Sequence, residues 1–323
     1  MELLLNIVLF SVGLLAIIKG ADWLTDGAAS IARRFGIPSI VVGLTIVAIG
    51  SSAPEFVVSV LSAIKGNVDI ALGNIVGSNI FNILGIMGAT ALVRPVVVQP
   101  ANLRYDVPFA VLSSVVIAIT ALFTDSDGTA QISRAEGLLM LCMFAIFISY
   151  TLAIAKNGNS GEDKSSDGVE KMPLWKAITA VIVGLAVLIL GGEGMVRGAS
   201  GIAASMGLSQ SIIALTIVSI GTSAPEFAAS VMAAKKGDTA MALGNIVGSV
   251  VFNVFFILGT AAAIRPLGIG GITPADIIIL LASSVLLWGV CKFGKTRYSM
   301  TRSEGALFVI LVIAYYAYLI YQL

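Results

Sequence analysis

Two glutamates lie where a carboxylate is hardest to accommodate. Glu55 and Glu226 sit inside long apolar stretches, in GSSAPEF (residues 50–56) and GTSAPEF (221–227). A charged side chain at mid-membrane costs roughly 3 kcal/mol on insertion scales, which marks it as functional by default. Pro54 and Pro225 precede the glutamates, with Gly50 and Gly221 one turn earlier. Proline removes a backbone donor and glycine loosens the turn, so each stretch reads as a broken helix whose freed carbonyls face a cavity. Ser51, Ser52, Thr222 and Ser223 add hydroxyls inside the breaks. Farther along, Ser78 and Asn82, and likewise Ser249 and Asn253, are spaced i, i+4 and share one helix face. Carboxylates, hydroxyls, amides and carbonyls are all hard oxygen ligands, of which Ca²⁺ takes about six to eight. No soft ligand is placed for copper or zinc.

Charge points to how such a site would work. Two ionised carboxylates in a low dielectric repel one another and resist desolvation. One Ca²⁺, or two or more Na⁺, neutralises them, and protons do the same to buried carboxylates. If only the neutralised site reorients across the membrane, the protein is an obligate exchanger.

The elements that must hold these groups are membrane helices. Hydrophobic residues make up 58% of the 323 and charged residues 11%, and the mean hydropathy is +1.01. A soluble chain of this length needs far more polar surface, so the lipid bilayer must solvate the outside. At about 20 apolar residues per span, ten spans are expected: 3–31, 39–64, 70–93, 106–123, 135–155, 174–204, 210–234, 241–264, 276–292 and 303–321. The start of the chain has no basic run before its apolar stretch and reads as a retained first span. Residues 156–173, rich in Gly, Ser and charge, read as a cytoplasmic linker between a first half (1–155) and a second (174–323). Loop Lys and Arg gather on one side, among them Arg33, Arg34, Arg94, Arg104, Lys235, Lys236, Lys292 and Lys295, against Lys65, Arg134 and Arg265 on the other. That bias places both termini outside the cytoplasm.

The halves repeat. GLTIVAIGSSAPEF (43–56) returns as ALTIVSIGTSAPEF (214–227), and GNIVGSNIFNI (73–83) as GNIVGSVVFNV (244–254), both displaced by 171 residues (43 to 214, 73 to 244). Fainter echoes are LVRP (92–95) with AIRP (263–266) and SRAEG (133–137) with TRSEG (301–305). Five spans per half is odd, so the second half enters from the opposite side. The expected fold is all-α, ten transmembrane helices in two five-helix inverted-topology repeats, an architecture that recurs in secondary transporters. Gly73/Gly77 and Gly244/Gly248 are GxxxG pairs expected to let helices approach closely.

The paired GSSAPEF/GTSAPEF and GNIVGS…N motifs resemble the α-repeats of the sodium/calcium exchanger family, of prokaryotic type, within the cation/Ca²⁺ antiporter superfamily. The resemblance implies electrogenic exchange of Na⁺ for Ca²⁺ by alternating access, with the ion sites between spans 2, 3, 7 and 8. It makes Glu55 and Glu226 the central Ca²⁺ ligands shared with Na⁺, joined by Ser51 and Thr222. It puts Ser52, Ser78, Ser223 and Ser249 around flanking Na⁺ sites, helped by the backbone of Ala48 and Ser219, and lets Asn82 and Asn253 complete the centre. Many members carry Asp at the position of Asn253, so this site has one possible charge fewer, and K⁺ co-transport is not expected. The linker is too short for the Ca²⁺-sensing domains of animal exchangers.

Other classes fare worse. A net charge of +1 argues against nucleic acid, and the absence of histidine removes its acid–base and metal chemistry. Cys142 and Cys291 form no CxxC motif and read as buried helix residues. No intramembrane nucleophile–base arrangement or Asp pair is recognisable, so no enzyme and no resident cofactor is expected. A cation channel lacks a filter motif. A proton/Ca²⁺ exchanger on the same fold stays open as the nearest rival. Lys19 with Asp22 and Glu193 with Arg197 are spaced to pair along their own helices.

Overall fold

The computed structural model describes residues 2–66, 68–122, 131–157, 172–205, 219–269 and 272–322. Most of the expected linker and the start of the span expected at 210–234 lie outside the described residues. In chain order the helices are α1 (Glu2–Phe35), α2 (Ser39–Ser51), α3 (Ala53–Lys65), α4 (Val68–Ile80, Phe81–Ile86 and Met87–Val93 end to end), α5 (Pro100–Arg104), α6 (Asp106–Leu122) and α7 (Arg134–Asn157). Then follow α8 (Leu174–Ser205), α9 (Ser219–Thr222), α10 (Ala224–Lys235), α11 (Thr239–Val251, Phe252–Leu258 and Gly259–Ile264), α12 (Pro274–Phe293) and α13 (Arg302–Gln322). Among the described residues eight helices are long and apolar enough to cross a membrane, or nine if α2 and α3, bent by 50°, form one broken span. The protein is an all-helical membrane protein. The exposed face is apolar, as a lipid-facing surface must be: Leu4, Leu15, Ile182 and Leu190 are among its large exposed side chains.

The two longest helices, α1 and α8, pack antiparallel along a glycine seam. Gly13, Gly20 and Gly27 recur every seven residues on α1, and Gly184, Gly191 and Gly198 do so on α8. A Cβ on Gly20 would stand 2.7 Å from the Leu188 nitrogen, and one on Gly184 the same distance from the Leu24 nitrogen. Lipid supplies no hydrophobic force between helices, so close backbone packing holds this pair together. Gly244 and Gly248 have the packing role expected of them, against Ile40, Gly43 and Leu44 of α2. A Cβ on Gly73 meets nothing within 4 Å among the described residues.

The core lies in α2, α4, α11 and the helices around them. α11 is buried along nearly its whole length, from Met241 to Leu258. The phenylalanines that follow the two glutamates cross between the halves: Phe56 stacks on Phe256 at 5.7 Å, and Phe227 on Phe81 at 6.5 Å. Both α4 and α11 widen into π-helix, at Phe81–Ile86 and Phe252–Leu258. Such segments gather at functional sites, and they carry Asn82 and Asn253.

The faint sequence echoes have a joint structural cause. Two-residue strands, β1 (Val96–Val97), β2 (Gln131–Ile132), β3 (Leu267–Gly268) and β4 (Ser299–Met300), pair antiparallel as β1 with β4 and β2 with β3. They depart from the purely helical expectation, but each joins one half to the other. Beside them Glu136 accepts from the nitrogen and hydroxyl of Ser133, and Glu304 from those of Thr301. Arg134 and Arg302 donate across to the carbonyls of Ile264 and Val93, where α11 and α4 end. These are helix caps that also satisfy carbonyls of the opposite half.

Two expectations need correction. Glu193 and Arg197 pair as their spacing predicts, but Asp22 does not pair with Lys19. Lys236, just past α10, takes both Asp22 (2.6 Å) and Asp26 (2.8 Å). Asp22 and Asp26 lie one turn apart on the α1 face turned to α10, whereas Lys19 is exposed, so two carboxylates attract the cation from the neighbouring helix. Cys291 is buried as expected and Cys142 is exposed, because its helix, α7, presents much of its length to lipid.

Candidate cation site

The site begins with two interrupted helices. α2 ends at Ser51 and α3 starts at Ala53, leaving Ser52 at φ −81°, ψ 11°. Ser223 takes φ −87°, ψ 7° between α9 and α10. Pro54 and Pro225 sit in the first turns of α3 and α10, where a missing N–H costs nothing. The carboxylates of Glu55 and Glu226 thus stand at helix N-termini, where the dipole favours negative charge.

SAPE reads locally as a capping box, with serine and glutamate at its two ends. The fold overrides it. Neither Ser52 nor Ser223 caps its own helix. Ser52 Oγ donates instead to Glu226 Oε1 at 2.7 Å, and Ser223 Oγ to Glu55 Oε1 at 3.0 Å. Each half therefore orients the carboxylate of the other. Both glutamates are 1% exposed. Ser52 Oγ also lies 3.1 Å from Ser249 Oγ.

A second layer holds these segments in place. Ser51 Oγ donates to Asn245 Oδ1 at 3.2 Å, and Asn245 Nδ2 donates to Ser230 Oγ at 2.8 Å and to the Glu226 carbonyl at 3.2 Å. The other half matches it: Thr222 Oγ1 donates to Asn74 Oδ1 at 3.4 Å, and Asn74 Nδ2 to Ser59 Oγ at 3.0 Å. Sequence reasoning missed Asn74, Asn245, Ser59 and Ser230. Their signal was present, since each recurs at the same displacement as the glutamates.

Among the described residues, Glu55 Oε2, Glu226 Oε2, Ser78 Oγ, Asn253 Oδ1 and both polar atoms of Asn82 are buried without a hydrogen-bond partner. Each such atom costs about 1–3 kcal/mol. Five of the six are oxygens, and all belong to residues singled out by spacing. The five oxygens are of the hard type that a cation such as Ca²⁺ takes. No cluster of three or more His, Cys, Asp or Glu occurs among the described residues, so hydroxyls and amides must supplement the two carboxylates. The Ala48 carbonyl accepts from the Ser52 nitrogen at 3.0 Å and from Ser51 Oγ at 3.4 Å. Ser219 opens α9, and its side chain lies outside the described residues.

The family described as sodium/calcium exchanger protein matches residues 5–153 and 176–323. The chain belongs to the sodium/calcium exchanger family. Within that family setting, it is 37% identical over 310 residues to CaxA, named as an antiporter in Alkalimonas amylolytica, with 94% of this chain and 95% of that one covered. It is 34% identical over 304 residues to inner membrane protein YrbG of Escherichia coli (strain K12), covering 90% and 89%. Its fold matches the solved sodium-calcium exchanger NCX_Mj, soaked with Na⁺ and Ca²⁺, with a TM-score of 0.82 and 29% identity over 97% and 98% of the two chains.

The crossed hydroxyls should matter because they orient the two carboxylates. Ser52→Ala and Ser223→Ala are each expected to weaken apparent cation affinity about 10–100-fold, the usual cost of losing a ligand's orienting partner. Titration of Ca²⁺ onto purified protein checks it. Affinity unchanged in both variants would show that the hydroxyls do not orient the carboxylates.

Proposed function

We propose that the protein exchanges Na⁺ for Ca²⁺ across the membrane by alternating access. The observation that carries this reading is the crossed pair Ser52–Glu226 and Ser223–Glu55, which leaves one buried, unengaged oxygen on each carboxylate. Glu55 and Glu226 would bind Ca²⁺ or Na⁺ directly. Ser51, Thr222, Asn82 and Asn253 would complete the centre, and Ser52, Ser78, Ser223 and Ser249, with the backbone of Ala48 and Ser219, would serve the flanking Na⁺ positions. An empty site carries two uncompensated negative charges in a dry interior, a state too costly to pass through an occluded intermediate. Neutralisation by either ion removes that cost, so each ion returns the site for the other.

The same reading takes the chain as two inverted halves, 1–155 and 174–323, of five spans each, joined by a cytoplasmic linker at 156–173. The antiparallel packing of α1 against α8, the first helices of the two halves, supports it. Both termini would be extracytoplasmic, in a prokaryotic inner membrane, as the Lys and Arg bias implies.

Reconstituted protein loaded with Na⁺ should take up ⁴⁵Ca²⁺, and vesicles loaded with K⁺ or choline should not. Uptake driven only by a pH gradient would replace Na⁺ by protons as the coupling ion. Uptake with no counter-ion would make the protein a channel.

A further inference from the structure

The GNIVGS segments of the two halves (73–83 and 244–254) match so closely that the one polar mismatch between them stands out. Asn74, Ser78 and Asn82 of α4 correspond to Asn245, Ser249 and Asn253 of α11, but Asn79 corresponds to Val250. Asn79 is fully buried. Its Nδ2 donates to the carbonyl of Val250, the residue at its own counterpart position, at 3.3 Å. Its Oδ1 accepts from Asn253 Nδ2 at 3.0 Å.

This chain of bonds has only one consistent direction. A backbone carbonyl accepts and never donates, so Asn79 must turn its NH₂ group to Val250 and its oxygen to Asn253. Asn253 must then answer with its own NH₂ group. Its Oδ1 is left buried and without a partner, on the helix face that carries Ser249. Asn82 has no such anchor, because the position that would supply it is Val250. Both polar atoms of Asn82 lack partners among the described residues. An amide presents either a ligand oxygen or a repelling NH₂ group to a cation, so orientation decides whether it binds.

We infer that Asn79 is a positioning residue that fixes Asn253 as a pre-oriented oxygen ligand, making one amide of the site a committed cation ligand and leaving the other free to turn. The inference rests on the exchanger reading of the same site. It makes the cation centre asymmetric although its carboxylates are related by the repeat.

The test is the Ca²⁺ concentration dependence of Na⁺-driven ⁴⁵Ca²⁺ uptake by the reconstituted full chain. Asn79→Val should raise the KM for Ca²⁺ about tenfold, within the range for lost orienting partners, with little change in maximal rate. Asn79→Asp, protonated, keeps an O–H for Val250 and an acceptor for Asn253, so its KM should stay near that of the parent. The decisive background is Asn253→Asp, whose two oxygens are equivalent and need no orienting. There, Asn79→Val should leave KM nearly unchanged. An unaltered KM for Asn79→Val in the parent, or an equal rise in both backgrounds, overturns the inference, the second result marking a general packing defect. Should Asn79→Val not fold, Asn79→Ala takes its place in both backgrounds under the same criteria. Absence of Na⁺-driven uptake by the parent protein would instead strike the exchanger reading, and the inference with it.

Discussion

Glu55→Gln and Glu226→Gln will each cut Ca²⁺ uptake by at least ~100-fold, the equivalent of about 2.7 kcal/mol. The substitution is isosteric, so packing around α3 and α10 survives. In Glu55→Gln the new amide keeps a carbonyl oxygen to accept from Ser223 Oγ, the donor that holds Glu55 Oε1 at 3.0 Å. The NH₂ group then occupies the place of Oε2, the atom left buried without a partner. On the proposed exchanger reading, the oxygen that would meet the cation becomes a pair of positively polarised hydrogens, and the site loses one of its two carboxylates. Glu226→Gln repeats this through Ser52. Because a buried carboxylate costs free energy when no cation compensates it, neither variant should melt below the parent in Ca²⁺-free, Na⁺-free detergent. That combination, lost exchange with retained stability, separates a ligand from a structural residue. Uptake near the parent rate in both variants would remove the carboxylates from the transport cycle.

Gly244→Val will destabilise the fold and abolish exchange together. A Cβ on Gly244 would collide with the Ile40 carbonyl oxygen and stand 2.9 Å from the Leu44 nitrogen. From the other side, a Cβ on Gly43 would collide with the Met241 carbonyl oxygen. These neighbours are backbone atoms inside helices, so they yield only if α2 and α11 move apart. Inserting carbon into a packed seam costs about 1–3 kcal/mol, and two methyl groups beyond the Cβ bring it to the upper end or past it. The damage reaches the site directly, because Asn245, the next residue, holds Ser51. Thermal melting in detergent and ⁴⁵Ca²⁺ uptake should both fall. Gly289→Ala is the control: a Cβ there meets nothing within 4 Å, and alanine gains up to about 1 kcal/mol of helix propensity. A Gly244→Val protein with the parent's melting point and uptake would show that the α2–α11 contact is not as close as described.

The sequence by itself determined the solvent, the candidate site residues and the family. Apolar stretches of span length require lipid outside, and Glu55 and Glu226 within them require a compensating partner inside. The repeated motifs at one displacement mark the same residues twice, and the breaks at Ser52 and Ser223 follow from proline and glycine in the local chain. Pairing partners were a different matter. Local spacing offered Asp22 to Lys19 and Ser52 to its own helix end, yet Asp22 meets Lys236 and Ser52 meets Glu226. A helix in lipid satisfies its backbone by itself, so nothing local says which neighbour its side chains will face. That choice belongs to the close crossings of small residues, such as Gly43 on Gly244, which bring distant segments within hydrogen-bond reach. Tertiary structure therefore decided the second layer of Asn74 and Asn245, the crossed holding of each carboxylate by the opposite half, and the direction of the Asn253 amide. The repeat marks Asn74 and Asn245 as a matched pair, but local spacing does not say which distant side chain each will bond, because that geometry exists only once the helices have packed.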